Sequence, residues 1–139
     1  MKASDFIAKK LSQYTNHVFS GQGGSVVHIL DSLSKIKNIK IVPSQNEQGA
    51  SLAADAYYRS SGKIGVVIAT SGPGILNTLQ GMACSYYDSI PSLYISGAPV
   101  LGSIKKNNKL RQLGFQEMEV ADLVRSMTKY STTITNTKD

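Results

Sequence analysis

Ile64-Gly65-Val66-Val67-Ile68-Ala69-Thr70-Ser71-Gly72-Pro73-Gly74 is the stretch that decides the fold. From Ile64 to Thr70 the chain is apolar without alternation. A strand of that composition is buried on both faces, which is the environment of a central parallel strand. Ser71-Gly72-Pro73-Gly74 then turns the chain, with Pro73 near the first position of a helix, where its missing N–H costs nothing. Ile75, Leu79, Met82 and Tyr86 recur at helical spacing and predict that helix's apolar face.

Upstream, Asn46 is a good cap for a helix running to about Ser61, and Gly62 suits the position past its end. Ala50, Ala53, Ala54 and Ala56 allow that helix to lie close to a sheet. Ile39 to Val42 reads as a strand ended by Pro43 and Ser44. Before it, a helix capped by Ser25 carries Val26, Ile29, Leu30, Leu33 and Ile36 on one face. Gly21-Gln22-Gly23-Gly24 is a turn after the short strand His17-Val18-Phe19. A first helix is predicted over residues 4 to 15, with Ser4 as cap and Ile7, Leu11 and Tyr14 at helical spacing.

Downstream, Pro91 to Ser96 contains a strand, and Gly97 to Gly114 reads as a loop. A helix over about Gln116 to Arg125 and a strand near Tyr130 to Ile134 follow. Strands alternate with helices across short connections. The expected fold is therefore α/β, a parallel sheet flanked by helices on both faces. Residues 1–135 form one domain and 136–139 the start of a linker. In such a sheet, sites form beyond the carboxyl ends of the strands. The Gly21 turn, the Asn46-Glu47 corner and the Ser71–Gly74 turn all follow strands, so they are expected on one edge.

A chain of 139 residues with 41% hydrophobic residues suits one domain with a real core. There is no apolar run long enough to span a bilayer and no signal-peptide pattern at the start, so no membrane is expected. Cys84 is the single cysteine, which excludes an intrachain disulfide and fits a reducing cytoplasm. The net charge is +6, from 15 basic and 9 acidic residues. The basic residues scatter as Lys35, Lys37, Lys40 and as Lys105, Lys106, Lys109, Arg111. No aromatics interleave with them, so they read as solvated faces or a surface for an anionic neighbour, not as a nucleic-acid site.

Glu47 opens the helix after Asn46. A carboxylate in a first turn is favoured by the helix dipole, and a helix-start acid is one sufficient reading. The other reading uses its place at the site edge. With Gly49 and Ala50 beside it, Glu47 can be approached closely by a flat ring and share a proton with a ring nitrogen. Ser71–Gly74 lacks the lysine of a P-loop, and Val26 stands where a dinucleotide fingerprint after Gly23 needs glycine. His17 and His28 are isolated, and no metal site is expected.

Taken together, Asn46-Glu47-Gln48-Gly49-Ala50 through Tyr57, Thr70 to Asn77, Asp88-Ser89-Ile90-Pro91, Phe115-Gln116-Glu117 and Thr128-Lys129 resemble, in this order, the N-terminal pyrimidine-binding domain of thiamine diphosphate-dependent enzymes of the acetolactate synthase type. The resemblance runs from about Ser4 to Ile134. It implies that Glu47 is catalytic, hydrogen-bonding the pyrimidine N1′ of thiamine diphosphate and favouring the imino form whose nitrogen takes the thiazolium C2 proton. It implies that Pro73, Gly74 and Asn77 also bind the cofactor. Gly21, Gln22, Gly23 and Gln116 would lie near the substrate, a small 2-oxo acid. The activity implied is that of a lyase or a carboligase, a transferase. A non-catalytic α/β assembly or ligand-binding module is the alternative.

The resemblance also implies Mg²⁺ held by a separate domain carrying a G-D-G motif, which does not occur in this sequence. The expectation is a domain incomplete on its own, either a fragment or one subunit of a split enzyme. Its site would be completed by a cofactor-diphosphate domain, commonly of another subunit in a homodimer or larger homo-oligomer. Asn46 stands where many members have histidine, and Gln22 where acetolactate synthases usually have proline.

Overall fold

The computed structural model describes residues 1–105 and 109–136. Lys106 of the basic run and residues 137–139 of the expected linker lie outside the described residues. In chain order the elements are α1 (Ala3–Leu11), β1 (His17–Ser20), a 3-10 turn (Gly24–Val26), α2 (Val27–Ser34), β2 (Lys40–Pro43), α3 (Glu47–Ser61), β3 (Gly65–Ala69), α4 (Pro73–Leu76), α5 (Leu79–Tyr87), β4 (Ser92–Ser96), a 3-10 turn (Leu101–Ser103), α6 (Val120–Leu123) and a last 3-10 turn (Arg125–Met127).

The four strands are parallel, in the order β2-β1-β3-β4. β3 is buried at every position, as its unbroken apolar run requires. Successive side chains of a strand face opposite ways, so β3 serves two cores. Val66 and Ile68 join Val18 under α1 and α2, against Ala8, Leu11, Ile29 and Leu33. Val67 faces the other way with Phe19, against Ala50 and Ala54 of α3. Each fully buried Val, Leu or Ile contributes about 1.5–3 kcal/mol of burial energy. The expected parallel sheet with helices on both faces is present.

α3 has the predicted ends. The Asn46 side chain accepts from the Gly49 N–H at 2.7 Å, and Gly62 takes the left-handed conformation at φ 70° that closes the helix. A polar clasp joins α3 to α5. Arg59 donates through Nε to Asp55 and through Nη2 to Asp88, both at 2.6 Å, and Ser85 Oγ donates to Asp55 at 2.8 Å. The Arg59 hydrogen bond holds the buried Asp55 carboxyl below the usual carboxylate range, against the opposing effect of burial.

Several local expectations are corrected. α1 ends at Leu11, leaving Tyr14 exposed, and Ser4 lies inside it, accepting from Ser32 Oγ of α2 at 2.9 Å instead of capping. Pro43 closes β2 from within, which an edge strand allows because the proline needs no ladder partner on its open side. The helix after Gly72 is two, broken between Leu76 and Leu79. The helix expected from Gln116 shrinks to Val120–Leu123, because Gln116 has φ 56°, which no α-helix contains. Residues 130–134 form no strand. Tyr130, Thr132, Thr133 and Ile134 carry β propensity, but propensity yields a strand only where a neighbouring edge pairs with it.

Candidate functional site

The connection from β1 through α2 leads to β2 on one side, and the connection from β2 through α3 returns past β1 to β3. The chain thus changes direction between β1 and β3, whose carboxyl ends border a crevice. That is where ligands bind in open α/β sheets. Gly21 follows β1 and donates its N–H to Ile68 O of β3 at 3.0 Å, while Thr70 to Gly74 follow β3. Glu47 is the first residue of α3. The three turns expected on one edge meet there.

Glu47 is half-buried. Its Oε2 accepts from Asn77 Nδ2 at 3.1 Å. Its Oε1 is bordered by glycine backbone. A Cβ on Gly21 would lie 2.6 Å from Glu47 Cγ and 2.8 Å from Oε1, and a Cβ on Gly74 would lie 3.6 Å from Oε1. One oxygen is therefore oriented by an amide, and the other sits between walls stripped of side chains. The N-terminus of a 15-residue helix favours the carboxylate by about 0.3–1 kcal/mol. Such a group can accept a hydrogen bond from a ring, or exchange a proton with it, where the ring lies against backbone.

Asn77 owes its position to the break between α4 and α5. It ends α4 in helical conformation, four residues after Pro73 starts it. Two further side chains, Thr70 and Ser25, shape the crevice, a role that their local sequence does not announce. Thr70 is wedged between two glycines: a Cβ on Gly23 would lie 2.3 Å from Thr70 Oγ1, and one on Gly74 2.4 Å from its Cγ2. Ser25, expected as a cap of the second helix, caps nothing. Its Oγ accepts from the Ser71 N–H at 3.1 Å and lies 2.8 Å from Thr70 Oγ1, tying the β1 loop to the β3 turn. The only local signal was a serine after a glycine turn, which a cap explains equally well.

Of the expected site residues, Glu47, Gly21, Gly74 and Asn77 come together directly. Gln22 is exposed and lines, with Gly21, Ser44 and Glu47, an open cleft of about 520 Å³. Gly23 reaches the group through Thr70. Pro73 is exposed at the start of α4. Gln116 packs on the Gly72 backbone, where a Cβ on Gly72 would meet the Gln116 carbonyl oxygen. Among the described residues, no group of three or more His, Cys, Asp or Glu side chains is placed to hold a metal ion. No helix among them is long and apolar enough to cross a membrane.

The sequence model of the family described as thiamine pyrophosphate enzyme, N-terminal TPP binding domain, matches residues 1–123. Among curated relatives, the chain is similar to the acetolactate synthase large subunit of Buchnera aphidicola subsp. Schizaphis graminum, at 37% identity over 133 residues, which covers 96% of this chain and 22% of that protein. It is similar to the acetolactate synthase large subunit of Lactococcus lactis at 36% identity, covering 88% of this chain and 20% of that one. It is similar to the chloroplastic acetolactate synthase of Arabidopsis thaliana at 34% identity, covering 99% and 20%. The chain spans about a fifth of the length of these relatives.

Proposed function

The chain belongs to the thiamine pyrophosphate enzymes, as their N-terminal TPP-binding domain, and on that premise we propose that it activates thiamine diphosphate for a lyase or carboligase acting on a 2-oxo acid, as in acetolactate synthase. The observation that carries this reading is the setting of Glu47, with one oxygen held by Asn77 and the other bordered by Gly21 and Gly74. The residues fit such a cofactor, because glycines at 21 and 74 border Glu47 Oε1 with bare backbone and put no side chain over the carboxylate.

When bound, thiamine diphosphate supplies the electron sink for cleaving or forming a bond to a carbonyl carbon. The chain's own residues act around it. Glu47 Oε1 holds or gives up a proton at a ring nitrogen. Asn77 keeps the carboxylate from turning, and Pro73 and Gly74 would help to hold the cofactor beside it. Gly21, Gln22, Gly23 and Gln116 border the substrate side. Mg²⁺ and the diphosphate would be held by a second domain, with the site between subunits of a dimer or larger homo-oligomer. Residues 1–135 would be the domain, with a linker beginning at 136, working in the cytoplasm. Three of the plant relatives carry the word chloroplastic in their names.

The test is Glu47→Gln in the enzyme that contains this domain, assayed for thiamine diphosphate-dependent turnover of a 2-oxo acid. Loss of a positioned proton-transfer group is expected to lower turnover by about 10²–10⁴-fold, with the thermal unfolding midpoint little changed. Wild-type turnover in that variant would leave a non-catalytic module as the better reading.

A further inference from the structure

Asp55 and Glu117 are the two buried carboxylates among the described residues. Asp55 belongs to the clasp between α3 and α5. Glu117 has a different setting: it is answered chiefly by main chain. Its Oε1 accepts the Lys105 N–H at 2.7 Å, and its Oε2 accepts the N–H groups of Leu113 at 2.7 Å and Gly114 at 3.1 Å. The Lys105 ammonium turns to Glu119 instead, at 2.9 Å. One side chain therefore gathers both ends of the segment between residues 105 and 114. These bonds, the one from Leu113 first, keep the Glu117 carboxyl below its ordinary range, so it is ionised at neutral pH.

The residue just before Glu117 is strained. Gly114 to Glu117 forms a turn closed by Glu117 N–H to Gly114 O at 3.2 Å, with Gln116 in its third place at φ 56°. That place favours glycine, and another residue stays there only where its surroundings over-determine it. Here the surroundings are the Glu117 carboxylate on one side and Gly72 on the other. The Gln116 carbonyl is seated on Gly72 so closely that a Cβ there would come within 2.3 Å of its oxygen. Gly72 opens the turn that continues through Pro73 to Gly74, which borders Glu47.

We propose that Glu117 is a positioning residue: its carboxylate locks the Gly114–Glu117 turn so that Gln116 is seated on Gly72 beside the Glu47 site, and its influence on the reaction passes through Gln116. The proposal rests on the function proposed for that site. A carboxylate that merely staples a loop predicts lost stability and nothing specific to Gln116.

A double-mutant cycle separates the two. Glu117→Gln and Gln116→Ala are made singly and together in the enzyme that contains this domain. Thiamine diphosphate-dependent turnover is followed with pyruvate as the 2-oxo acid probe, beside thermal unfolding midpoints. Glu117→Gln is expected to lower kcat about tenfold with Gln116 present, and less than about twofold when Gln116 is already alanine. Equal losses in both backgrounds, or no loss with Gln116 present, overturn the proposal. If Glu117→Gln does not fold, Glu117→Asp keeps the charge but draws it back by one methylene, and the same cycle is read with it.

Amide exchange gives a readout independent of turnover. Leu113, Gly114 and Glu117 N–H groups should exchange faster in the Glu117 variant than in wild type, and unchanged protection overturns the proposal even if no turnover is seen. The Glu47→Gln result is separate. Turnover that survives loss of Glu47 sinks the proposed function. A cycle without coupling, in an enzyme that does need Glu47, sinks the role of Glu117 alone.

Discussion

Glu47 owes its setting to side chains that are missing around it. Gly21 is at the end of β1, pinned to β3 by its own N–H, and cannot retreat from the carboxylate. Gly21→Ala would bring a Cβ within 2.6 Å of Glu47 Cγ, and the carboxylate, being the more mobile partner, would swing off Asn77. Overpacking of this kind costs about 1–3 kcal/mol of stability, and misplacing a reacting group by an ångström costs about 10²-fold in rate. The expected outcome for Gly21→Ala is therefore a folded domain with cofactor-dependent turnover depressed about as strongly as in Glu47→Gln. Urea unfolding and turnover measured on the same preparation check it, and wild-type turnover would show that Gly21 does not constrain the carboxylate. The glycine was legible as a turn residue. That it abuts Glu47 was not, because the two meet only when β1 and α3 pack.

At the scale of elements, α3 carries both the site and the clasp. Its start presents Glu47, and in its last turn Arg59 reaches Asp55 and Asp88. The clasp sets where α5 lies, and α5 follows the break that places Asn77. Asp55 has a folded pKa below its unfolded value of about 3.9. The unfolded chain thus binds more protons in that window, so stability rises with pH there. Asp55's contribution is complete above the unfolded value and is lost as pH falls through the lower folded one. Thermal midpoints followed from about pH 5 to about pH 2 should fall more steeply for the wild type than for Asp55→Asn. Parallel curves would mean that the clasp adds no pH-dependent stability. The helix and its ends were plain in the sequence, from Asn46 to Gly62. Its partner was not, since Asp55 and Ser85 stand thirty residues apart.

For the molecule as a whole, one buried strand joins two cores. β3 sends Val66 and Ile68 to the face covered by α1 and α2, and Val67 to the face covered by α3. Loss of packing on either face is expected to be felt on both. Leu33 is fully buried in α2, on the face away from α3. Leu33→Ala should cost about 2–5 kcal/mol, and unfolding should remain a single transition whether followed by helix content or by a probe placed near Glu47. Two separate transitions would mean that the layers unfold independently.

The sequence by itself determined the class of fold, the four strands and their order in the chain, and the three turns gathered at the carboxyl edge of the sheet. Those depend on signals that are local in the chain: an apolar run, a helical spacing of apolar residues, a cap at Asn46, a glycine at 62. The tertiary structure alone decided the bond from Asn77 to Glu47, the use of Ser25 as a tie to Ser71, the left-handed turn at Gln116, and the failure of residues 130–134 to become a strand. The physical reason is the same each time. Polar groups and unpaired strands take whichever partner the packed chain brings to them. Ser25 and Ser71 are 46 residues apart, so no local pattern could say that they meet.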